Sequence, residues 1–375
     1  MMGCMSPRYM LPLLALLAVF LPAAAPARAE DNAAAAPALE PKAVIRVAAV
    51  GDIMMGTTFP EAILPPGDGA TLFRAAAPLL AGFDVVFGNL EGPLTDAEKS
   101  PKCPKPRRNG RPCFAFRTPP RYVERLSAAG FSALNVANNH SLDFGTEGLD
   151  NTLAVLDAAG IRAVGGERLA VFTASGKRIA VAGFSYSLPH RYVHPLLDVD
   201  RAREIVAGIK AENDIVIVSF HGGAEGKGAL RVADAEEEFL GEKRGNVVRF
   251  ARAAVDAGAD LVLGHGPHVP RALEIYRGKL IAYSLGNFAA YSMFNLKGES
   301  GISYILQVEL SPETGEVVRF RTPSVELREL GIPYPDPSGR AEKLLRNLSE
   351  EFLSGEPDAE ARRAALFSVW HAAQE

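Results

Sequence analysis

The sequence contains few cysteines, three among 375 residues. This number is too small for a disulfide scaffold, and the spacing is not that of a zinc ribbon. Basic residues are not in excess either, because 40 Lys+Arg stand against 44 Asp+Glu and give a formal net charge of −4. Without a basic excess, we expect no nucleic-acid partner.

Two common catalytic motifs are also missing. No Gly-x-Ser-x-Gly elbow follows a predicted strand, which disfavours a Ser-His-Asp hydrolase. No Gly-x-Gly-x-x-Gly follows the first predicted strand, which disfavours dinucleotide binding. The hydrophobic fraction of 48% excludes wholesale disorder, and the length fits one large domain or two modest ones.

The N-terminal residues have the pattern of a secretory signal peptide. Arg8 precedes an apolar run over Met10–Leu21, and Ala27–Ala29 forms an A-x-A cleavage site. We therefore predict a signal peptide over residues 1–29, a disordered Ala/Pro tether over 30–42, and export to the periplasm or outside the cell. The alternative is an uncleaved segment that keeps the chain associated with the membrane, although the run is short for a transmembrane helix.

Export changes how the two cysteines beyond the signal segment are interpreted. Cys103 and Cys113 are ten residues apart in a proline-rich loop. An oxidising compartment favours a disulfide between them, and the alternative is a pair of free thiols.

The same loop, residues 97–118, is strongly basic. Its only acidic residue after Ala97 is Glu98, whereas its basic residues are Lys99, Lys102, Lys105, Arg107, Arg108, Arg111 and Arg117. We predict a disulfide-closed flap over the site, in which Arg107, Arg108 and Arg111 bind an anionic substrate. The alternative is a solvated loop.

Short apolar runs alternate with helical patterns from residue 43 onward. The predicted strands are Val44–Val50, Val85–Phe87, Ala133–Ala137, Ile179–Gly183, Ile215–Phe220, Leu261–Leu263, Leu280–Tyr283 and Tyr304–Leu310. The predicted helices are Thr71–Leu80, Arg121–Ala129, Glu147–Ala159, Arg201–Lys210 and Val247–Ala257. This order predicts an α/β fold of mostly parallel, buried strands with helices outside. We expect one domain over 43–330, a hairpin within Glu309–Arg328, and a helical C-terminal extension over 331–375.

Polar clusters follow six of these predicted strands. Their candidate site residues are Asp52, Glu91, Asn139, His140, His221, His265, His268 and Asn287. If the strands are parallel, the clusters meet at one rim of the sheet, where ligands bind in open α/β folds.

These residue types favour a metal site. Carboxylate, amide and imidazole groups together suit Mn, Zn or Fe, and their number is sufficient for one or two divalent ions. Taken singly, each cluster has a structural alternative. Gly51-Asp52 fits a helix N-cap, Asn138-Asn139 fits a turn, and a single histidine is more often a hydrogen-bonded structural residue.

The order of the clusters resembles that of the bacterial capsule-synthesis family of the CapA type, which is linked to poly-γ-glutamate capsules and is similar to calcineurin-like metallophosphoesterases. The matching motifs are Gly51-Asp52-Ile53-Met54, Asn89-Leu90-Glu91, Ala137-Asn138-Asn139-His140 with Asp143-Phe144-Gly145, His221-Gly222-Gly223-Ala224-Glu225, Gly264-His265-Gly266-Pro267-His268-Val269 and Tyr283-Ser284-Leu285-Gly286-Asn287-Phe288. The resemblance covers about Val44 to Pro323 and implies a layered α/β sandwich.

The resemblance also implies roles for single residues. Asp52 and His268 would hold one metal, and Glu91 would bridge to a second. Asn139, His221 and His265 would hold that second metal. His140 would serve the leaving group with Asp143 orienting it, and Glu225 and Asn287 would contact substrate.

Three positions depart from the expected motifs. Met54 stands where metallophosphoesterases have the histidine of Asp-x-His, so one metal would have one protein ligand fewer. Gly222 and Gly226 replace the Trp and Tyr usual in the capsule family, which suggests a missing wall of the pocket.

The resemblance predicts a metal-dependent hydrolase of a phosphoester or related anionic bond in capsule, exopolysaccharide or poly-γ-glutamate synthesis. The alternative is a non-hydrolytic accessory protein that binds the anionic polymer during assembly or export. A membrane-bound polymer-synthesis complex is the expected partner in either case.

Overall fold

The computed structural model describes residues 43–104, 107–108, 111–187 and 193–371, and at 107–108 and 111–112 it describes only the backbone. The predicted signal peptide and tether lie outside these residues. In the described part of the chain, no helix is long and apolar enough to cross a membrane.

The described residues contain more strand than the sequence pattern indicates. The strands are β1 (Ile45–Met54), β2 (Val85–Leu90), β3 (Arg107–Arg108), β4 (Arg111–Pro112), β5 (Ala133–Asn135), β6 (Arg162–Val164), β7 (Ala170–Ala174), β8 (Lys177–Ser185), β9 (His194–Pro195), β10 (Ile215–His221), β11 (Glu237–Phe239), β12 (Glu242–Gly245), β13 (Leu261–His265), β14 (Leu273–Tyr276), β15 (Lys279–Ala282), β16 (Asn287–Ala290), β17 (Ile302–Tyr304), β18 (Leu306–Leu310), β19 (Val317–Arg321), β20 (Ser324–Arg328) and β21 (Ile332–Pro335). The α-helices are α1 (Val123–Ala128), α2 (Gly145–Ala158), α3 (Val199–Ala211), α4 (Val247–Asp256), α5 (Arg340–Ser354) and α6 (Ala359–Val369). Short 3₁₀ helices cover Pro66–Gly69, Ala77–Leu80, Pro120–Tyr122, Lys227–Ala229 and Gly298–Gly301.

Two seven-stranded sheets form the centre of the fold. The first has the order β19-β18-β1-β2-β5-β6 with β16 also on β1, and the second has the order β14-β15-β13-β10-β8-β7 with β9 on β8. The central strands are parallel in both sheets, and antiparallel strands such as β18, β19, β7 and β14 lie at or near the edges. The predicted α/β class with mostly parallel strands is therefore confirmed.

The core is layered, as buried parallel strands require. One apolar cluster joins the facing sides of the two sheets, with Val47 and Phe87 from the first and Val181 and Leu263 from the second. A second cluster packs α1 and α2 on the outer face of the first sheet, and a third packs α3 and α4 on the outer face of the second. This arrangement is the predicted layered α/β sandwich.

The C-terminal helices belong to the same compact unit as the sheets. Leu345 and Leu353 of α5, Leu366 of α6 and the adjacent Trp370 are buried in the cluster between the sheets. The extension therefore completes the core, because its removal would expose apolar side chains of both sheets to water.

One predicted helix is wrong. Residues 71–80 form turns followed by the 3₁₀ helix Ala77–Leu80. Pro78 lacks an N–H donor and its ring would clash with the carbonyl one α-helical turn earlier, so the backbone makes the shorter bonds Arg74 N–H to Thr71 O and Ala76 N–H to Phe73 O.

Candidate functional site

The site residues lie at the carboxyl ends of strands from two different sheets. Asp52 is within β1, and His221 and His265 are the last residues of β10 and β13. The ends of the two sheets meet where His265 Nε2 lies 3.1 Å from the carbonyl oxygen of Val50. The predicted rim is therefore built from two sheets, because the clusters converge where the carboxyl ends of the strands of both sheets meet.

The ladder of β1 is irregular at the site. Its pairing with β2 and with β16 shifts register on either side of Asp52, and such irregularities re-aim a side chain relative to a regular strand. A Cβ on Gly51 would lie 2.0 Å from the carbonyl oxygen of Gly286. Only glycine therefore lets the turn before β16 approach β1 this closely.

Five side chains converge on one point. Potential ligand atoms of Asp52, Glu91 and His268 all lie within 4.8 Å of one another. Oε1 of Glu91 is 3.6 Å from His268 Nε2, 3.9 Å from His221 Nε2 and 4.0 Å from His140 Nε2. Three imidazole nitrogens thus surround one carboxylate oxygen at distances too long for hydrogen bonds.

Several of these atoms have no hydrogen-bond partner among the described residues. They are both oxygens of Glu91, Nε2 of His221 and Oδ1 of Asn139, and all are buried. Each unpaired buried polar atom costs about 1–3 kcal/mol. Burial, the largest cause, also raises the pKa of Glu91 well above its usual value. A divalent cation fits the Glu91 carboxylate and the His221 imidazole, because both are metal-ligand groups and their unpartnered atoms lie 3.9 Å apart.

Asp52 and His268 form a buried pair beside Glu91. Asp52 Oδ2 lies 3.0 Å from His268 Nδ1, and Asn89 Nδ2 donates to Asp52 Oδ1 at 2.8 Å. Burial opposes ionisation of Asp52, but the hydrogen bond and charge of His268 outweigh it and lower the pKa to about 2. Burial likewise disfavours charged His268, but Glu91 and Asp52 raise its pKa to about 10. The pair leaves His268 Nε2 directed at Glu91.

The loop that carries His268 is backbone-strained. His268 has φ 57°, a left-handed conformation that costs a non-glycine residue about 1–3 kcal/mol. Gly266 has φ 105°, and a Cβ there would lie 3.1 Å from His221 Nε2. Glycine is therefore required for the loop to pass beside the imidazole of His221.

Two sequence-predicted residues support the site instead of facing it. Both ring nitrogens of His265 are engaged, Nε2 with the Val50 carbonyl and Nδ1 with the Ser219 hydroxyl at 3.3 Å, so this histidine offers no free nitrogen to a metal in this conformation. Asn287 lies 3.0 Å from His268 Nδ1 through Oδ1 and donates to the carbonyl oxygen of Ser300 through Nδ2 at 3.1 Å. Asn287 therefore orients His268 and does not reach into open space for substrate.

His140 and Asp143 form the expected dyad. Asp143 Oδ2 lies 2.7 Å from His140 Nδ1, which leaves Nε2 directed towards Glu91. Burial lowers the pKa of His140, and the neighbouring Asp143 only partly offsets this. Asp143 is buried, which by itself would raise its pKa, but His140 and Lys102 lower it.

The insertion loop lies directly against this dyad. Lys102 Nζ donates to Asp143 Oδ1 at 2.6 Å and to the Asn139 carbonyl at 3.0 Å. The Phe116 N–H donates to Asp143 Oδ2 at 2.7 Å, and the Phe116 ring stacks on His140 at 4.1 Å. The loop therefore fixes the ring orientation of the dyad, in addition to covering the rim.

A disulfide joins Cys103 to Cys113 and closes the loop, which is the pairing expected from the sequence. Arg117 does not face the rim, because its guanidinium binds the Thr58 and Ala97 carbonyls.

Within the loop, residues 107–108 and 111–112 form an antiparallel pair of two-residue strands. The side chains of Arg107, Arg108 and Arg111 lie outside the described part of the loop.

Glu225 faces the cluster and is held by a buried arginine. Arg244 NH1 lies 2.8 Å from Glu225 Oε1, and Glu225 Oε2 lies 4.0 Å from His268 Nε2. The missing tryptophan at Gly222 leaves no gap, because a Cβ there would lie 2.8 Å from Leu196 Cδ1. At Gly226 no described atom lies within 4 Å of such a Cβ. The pocket wall is therefore open at Gly226 but filled at Gly222.

Sequence reasoning missed four contributors to the site. Asn89 lies between Asp52 and His221, and its position two residues before Glu91 is the signal that was available. Lys102 is signalled only by its place next to Cys103. Phe116 and Arg244 carry no sequence signal, because their contacts depend on how separate loops fold over the rim.

Comparison with known proteins places the chain in a family. The model described as "Bacterial capsule synthesis protein PGA_cap" matches residues 46–292, more than half of the chain. The chain is 26% identical to the PGA biosynthesis protein CapA of Bacillus subtilis over 82% of this chain and 78% of the relative. It is 29% identical to the capsule biosynthesis protein CapA of Bacillus anthracis over 76% of this chain and 68% of the relative. It is also 32% identical to a probable polyglutamine synthesis accessory protein of Mycobacterium tuberculosis over 54% of this chain and 55% of the relative.

Solved structures with partial similarity include a phosphatase from Mycoplasma pneumoniae, with a TM-score of 0.46 at 15% identity, covering 80% of this chain and 96% of that one. A calcineurin-like phosphoesterase from Bacillus subtilis gives a TM-score of 0.44 at 14% identity, covering 83% of this chain and 99% of that one. The family assignment comes from the sequence match, which spans the whole candidate site from Asp52 to Asn287. The chain therefore belongs to the bacterial capsule synthesis protein family.

Proposed function

We propose that the chain is an exported, metal-dependent hydrolase that acts on a phosphoester or a related anionic bond during the synthesis of a capsule, an exopolysaccharide or poly-γ-glutamate. The named roles of the CapA relatives in capsule and PGA biosynthesis support the biological setting. A polymer-synthesis complex at the membrane is the proposed partner. The proposed cofactor is Mn, Zn or Fe, at one or two ions per chain.

A single observation carries the proposal, namely the buried carboxylate of Glu91, which accepts no hydrogen bond from the described residues. A buried carboxylate that accepts no hydrogen bond is unfavourable, and a bound divalent cation would offset that cost more fully than the imidazole of His268 at 3.6 Å. The imidazoles of His140, His221 and His268 surround the same oxygen at 3.6–4.0 Å. An exclusively structural cluster would have no need to leave these atoms unpaired.

The residues of the chain divide the chemistry between them. A divalent ion held by Asp52, Glu91, His268, His221 and Asn139 would polarise the anionic bond and acidify water.

In its protonated form, His140 would give the Nε2 proton to the leaving oxygen and return to the neutral imidazole, while Asp143 accepts a hydrogen bond from Nδ1 and stabilises the charged form. Asp143 fixes the tautomer of His140, and Lys102 holds Asp143 in place. The Phe116 ring excludes water from one face of the imidazole.

Replacing His221 by alanine is expected to lower the metal content and abolish hydrolysis of phosphomonoesters without unfolding the chain. The reason is that His221 Nε2 is unpaired, so its loss removes a ligand but breaks no hydrogen bond at that atom. Metal content is counted by mass spectrometry, folding is checked by circular dichroism, and the His194→Ala variant serves as a control outside the cluster. A folded variant with unchanged metal content and turnover contradicts the proposal.

The second candidate function is the non-hydrolytic accessory role, which the Met54 position favours. Met54 Sδ accepts a contact from the Gly56 N–H at 3.1 Å and supplies no hard ligand. The two candidates differ in one result. Polymer production by a host that carries the combined His140→Ala and His221→Ala variant stays normal if the role is accessory and is lost if hydrolysis is required.

Neutralising Arg107, Arg108 and Arg111 to glutamine is expected to raise the KM for an anionic substrate several-fold and to flatten its dependence on salt, because these cations would attract the substrate from solution. Initial rates at two ionic strengths measure both effects. Arg162, Arg178 and Arg319, replaced together, form the control. An unchanged KM and salt dependence in the flap variant would leave the loop without a role in substrate binding.

A further inference from the structure

A cavity of about 540 Å³ opens on the site, and its walls are aromatic. Phe114, Phe116, Phe239, Phe294 and Met293 form these walls, while His140, Glu225 and His268 reach the cavity from the cluster. The volume is in the range of pockets for small molecules. Binding of a linear anionic polymer would not by itself require so many apolar rings beside a charged centre.

The aromatic wall continues into the site. Phe116 stacks on His140 with ring centroids 4.1 Å apart, and Phe294 packs on His268 at 4.5 Å. The two phenylalanines meet edge to face at 5.7 Å. A group bound at the Glu91 cluster therefore has apolar ring surface directly beside it.

The rings come from three separate segments of the chain. Phe114 and Phe116 belong to the insertion loop, Phe239 ends β11, and Phe294 follows β16. Phe114 is 55% exposed although it is a large apolar residue, and in the described part of the chain it has no ring partner. Because it lines the cavity, this exposed ring is available to contact a bound ligand.

The rim of the cavity adds positive charge. Lys227 and Lys297 line it and are exposed to solvent. A Cβ placed on Gly226 would meet nothing within 4 Å, so no side chain among the described residues fills that part of the wall. The cavity thus combines an anion-binding end at the metal cluster, apolar walls and a cationic rim.

We propose that this cavity binds a ring with an apolar face that is attached to the anionic group held at the metal cluster. The substrate class is then a phosphoester, or a related anionic ester, of a ring-bearing alcohol such as an aromatic alcohol or a sugar. This inference rests on the proposed function only in placing the anionic group at the cluster. It predicts selectivity for the ring that a linear anionic polymer would not show.

Binding of phosphonates tests the inference without requiring turnover. The full chain, loaded with Mn²⁺, is titrated by calorimetry with benzylphosphonate, with the phosphonate analogue of a hexose phosphate, and with ethylphosphonate. At least one ring compound is expected to bind ~10-fold or more tightly than ethylphosphonate, the discrimination typical of a group that fills an apolar pocket. Which ring binds more tightly distinguishes an aromatic from a sugar alcohol.

Two variants assign the selectivity to the cavity. Phe114→Ala is expected to reduce the ratio of ring to ethyl affinity by several-fold, because it removes one wall without disturbing the core. Leu240→Ala is the matched control, since Leu240 is 73% exposed and adjoins Phe239 without lining the cavity. Equal affinities for all three phosphonates, or no binding of any, overturn the inference.

Turnover of benzyl phosphate and ethyl phosphate separates this inference from the proposed function. Their leaving alcohols have similar acidity, so a difference in kcat/KM reflects binding of the ring. Hydrolysis of both at equal rates, with equal phosphonate affinities, sinks the ring-binding inference and leaves the hydrolase standing. Selective binding of a ring phosphonate without hydrolysis of either ester would support the ring-binding inference and contradict the hydrolase proposal.

Discussion

Replacing Glu91 by glutamine is expected to abolish high-affinity binding of a divalent metal while leaving the metal-free protein at least as stable. Both carboxylate oxygens are buried and accept no hydrogen bond from the described residues, so the neutral amide removes a charge that the metal-free fold stabilises poorly. The same change removes the anion on which three imidazoles converge. The loss of affinity should exceed the ~10–100-fold that follows removal of a ligand's supporting hydrogen bond.

Thermal unfolding with and without Mn²⁺ or Zn²⁺ measures both halves of this result. A metal that binds only the native state raises the melting temperature, and this rise should vanish in Glu91→Gln. Glu299→Gln is a matched control, because Glu299 also has a buried side-chain oxygen without a partner among the described residues but lies outside the ligand cluster. If metal stabilises the Glu91 variant as much as the parent chain, the metal centre is not where we place it.

Replacing His140 by glutamine is expected to lower kcat by ~10²–10⁴-fold, the usual contribution of a general acid or base, with metal affinity retained. Nε2 of His140 lies 4.0 Å from Glu91 Oε1 and is the nitrogen that the dyad leaves free for the leaving group. Glutamine keeps a polar amide of similar length but does not transfer a proton at neutral pH. The proposed catalytic role therefore predicts a loss in kcat and a nearly unchanged metal content.

Three variants refine the assignment of His140. Asp143→Asn should also lower kcat, since it leaves the imidazole in place but removes the carboxylate that fixes its tautomer. Lys102 Nζ donates to Asp143 Oδ1 and lies 3.2 Å from His140 Nδ1, so the effect of Lys102→Met should not simply add to that of Asp143→Asn. His194→Gln is the control outside the cluster. Loss of metal from His140→Gln would show that His140 is a ligand, whereas full activity would show that it takes no part in the reaction.

Local patterns sufficed for most of the fold. Runs rich in β-branched residues such as Ile215–His221, which is buried throughout, are typical of central parallel strands. Helices α2, α3 and α4 were predicted to within two residues at each end, because their apolar periodicity is undisturbed. The segment 71–80 failed because a single proline outweighed its periodicity.

The candidate site was predicted less completely than the fold. The residue types after each strand indicated a mixed oxygen and nitrogen metal site, and Asp52, Glu91 and His268 do lie together. The sequence could not show that His265 would be held by the carbonyl of Val50 or that Asn287 would be turned towards His268. Those contacts join residues that are far apart in the chain, and no local rule fixes such pairs.

By itself, the sequence determined which elements form and which polar residues end them. Strand burial and strand-end polarity are set within a few residues by backbone geometry and side-chain type. Only the tertiary structure decided that two sheets, not one, supply the ligands, and that Glu91 is left unpaired between three histidines. It also decided that the disulfide-closed loop brings Lys102 and Phe116 onto the His140–Asp143 dyad. The physical reason is that these contacts arise from the packing of distant segments around a shared core, where the burial of apolar surface, and not local propensity, sets their relative positions.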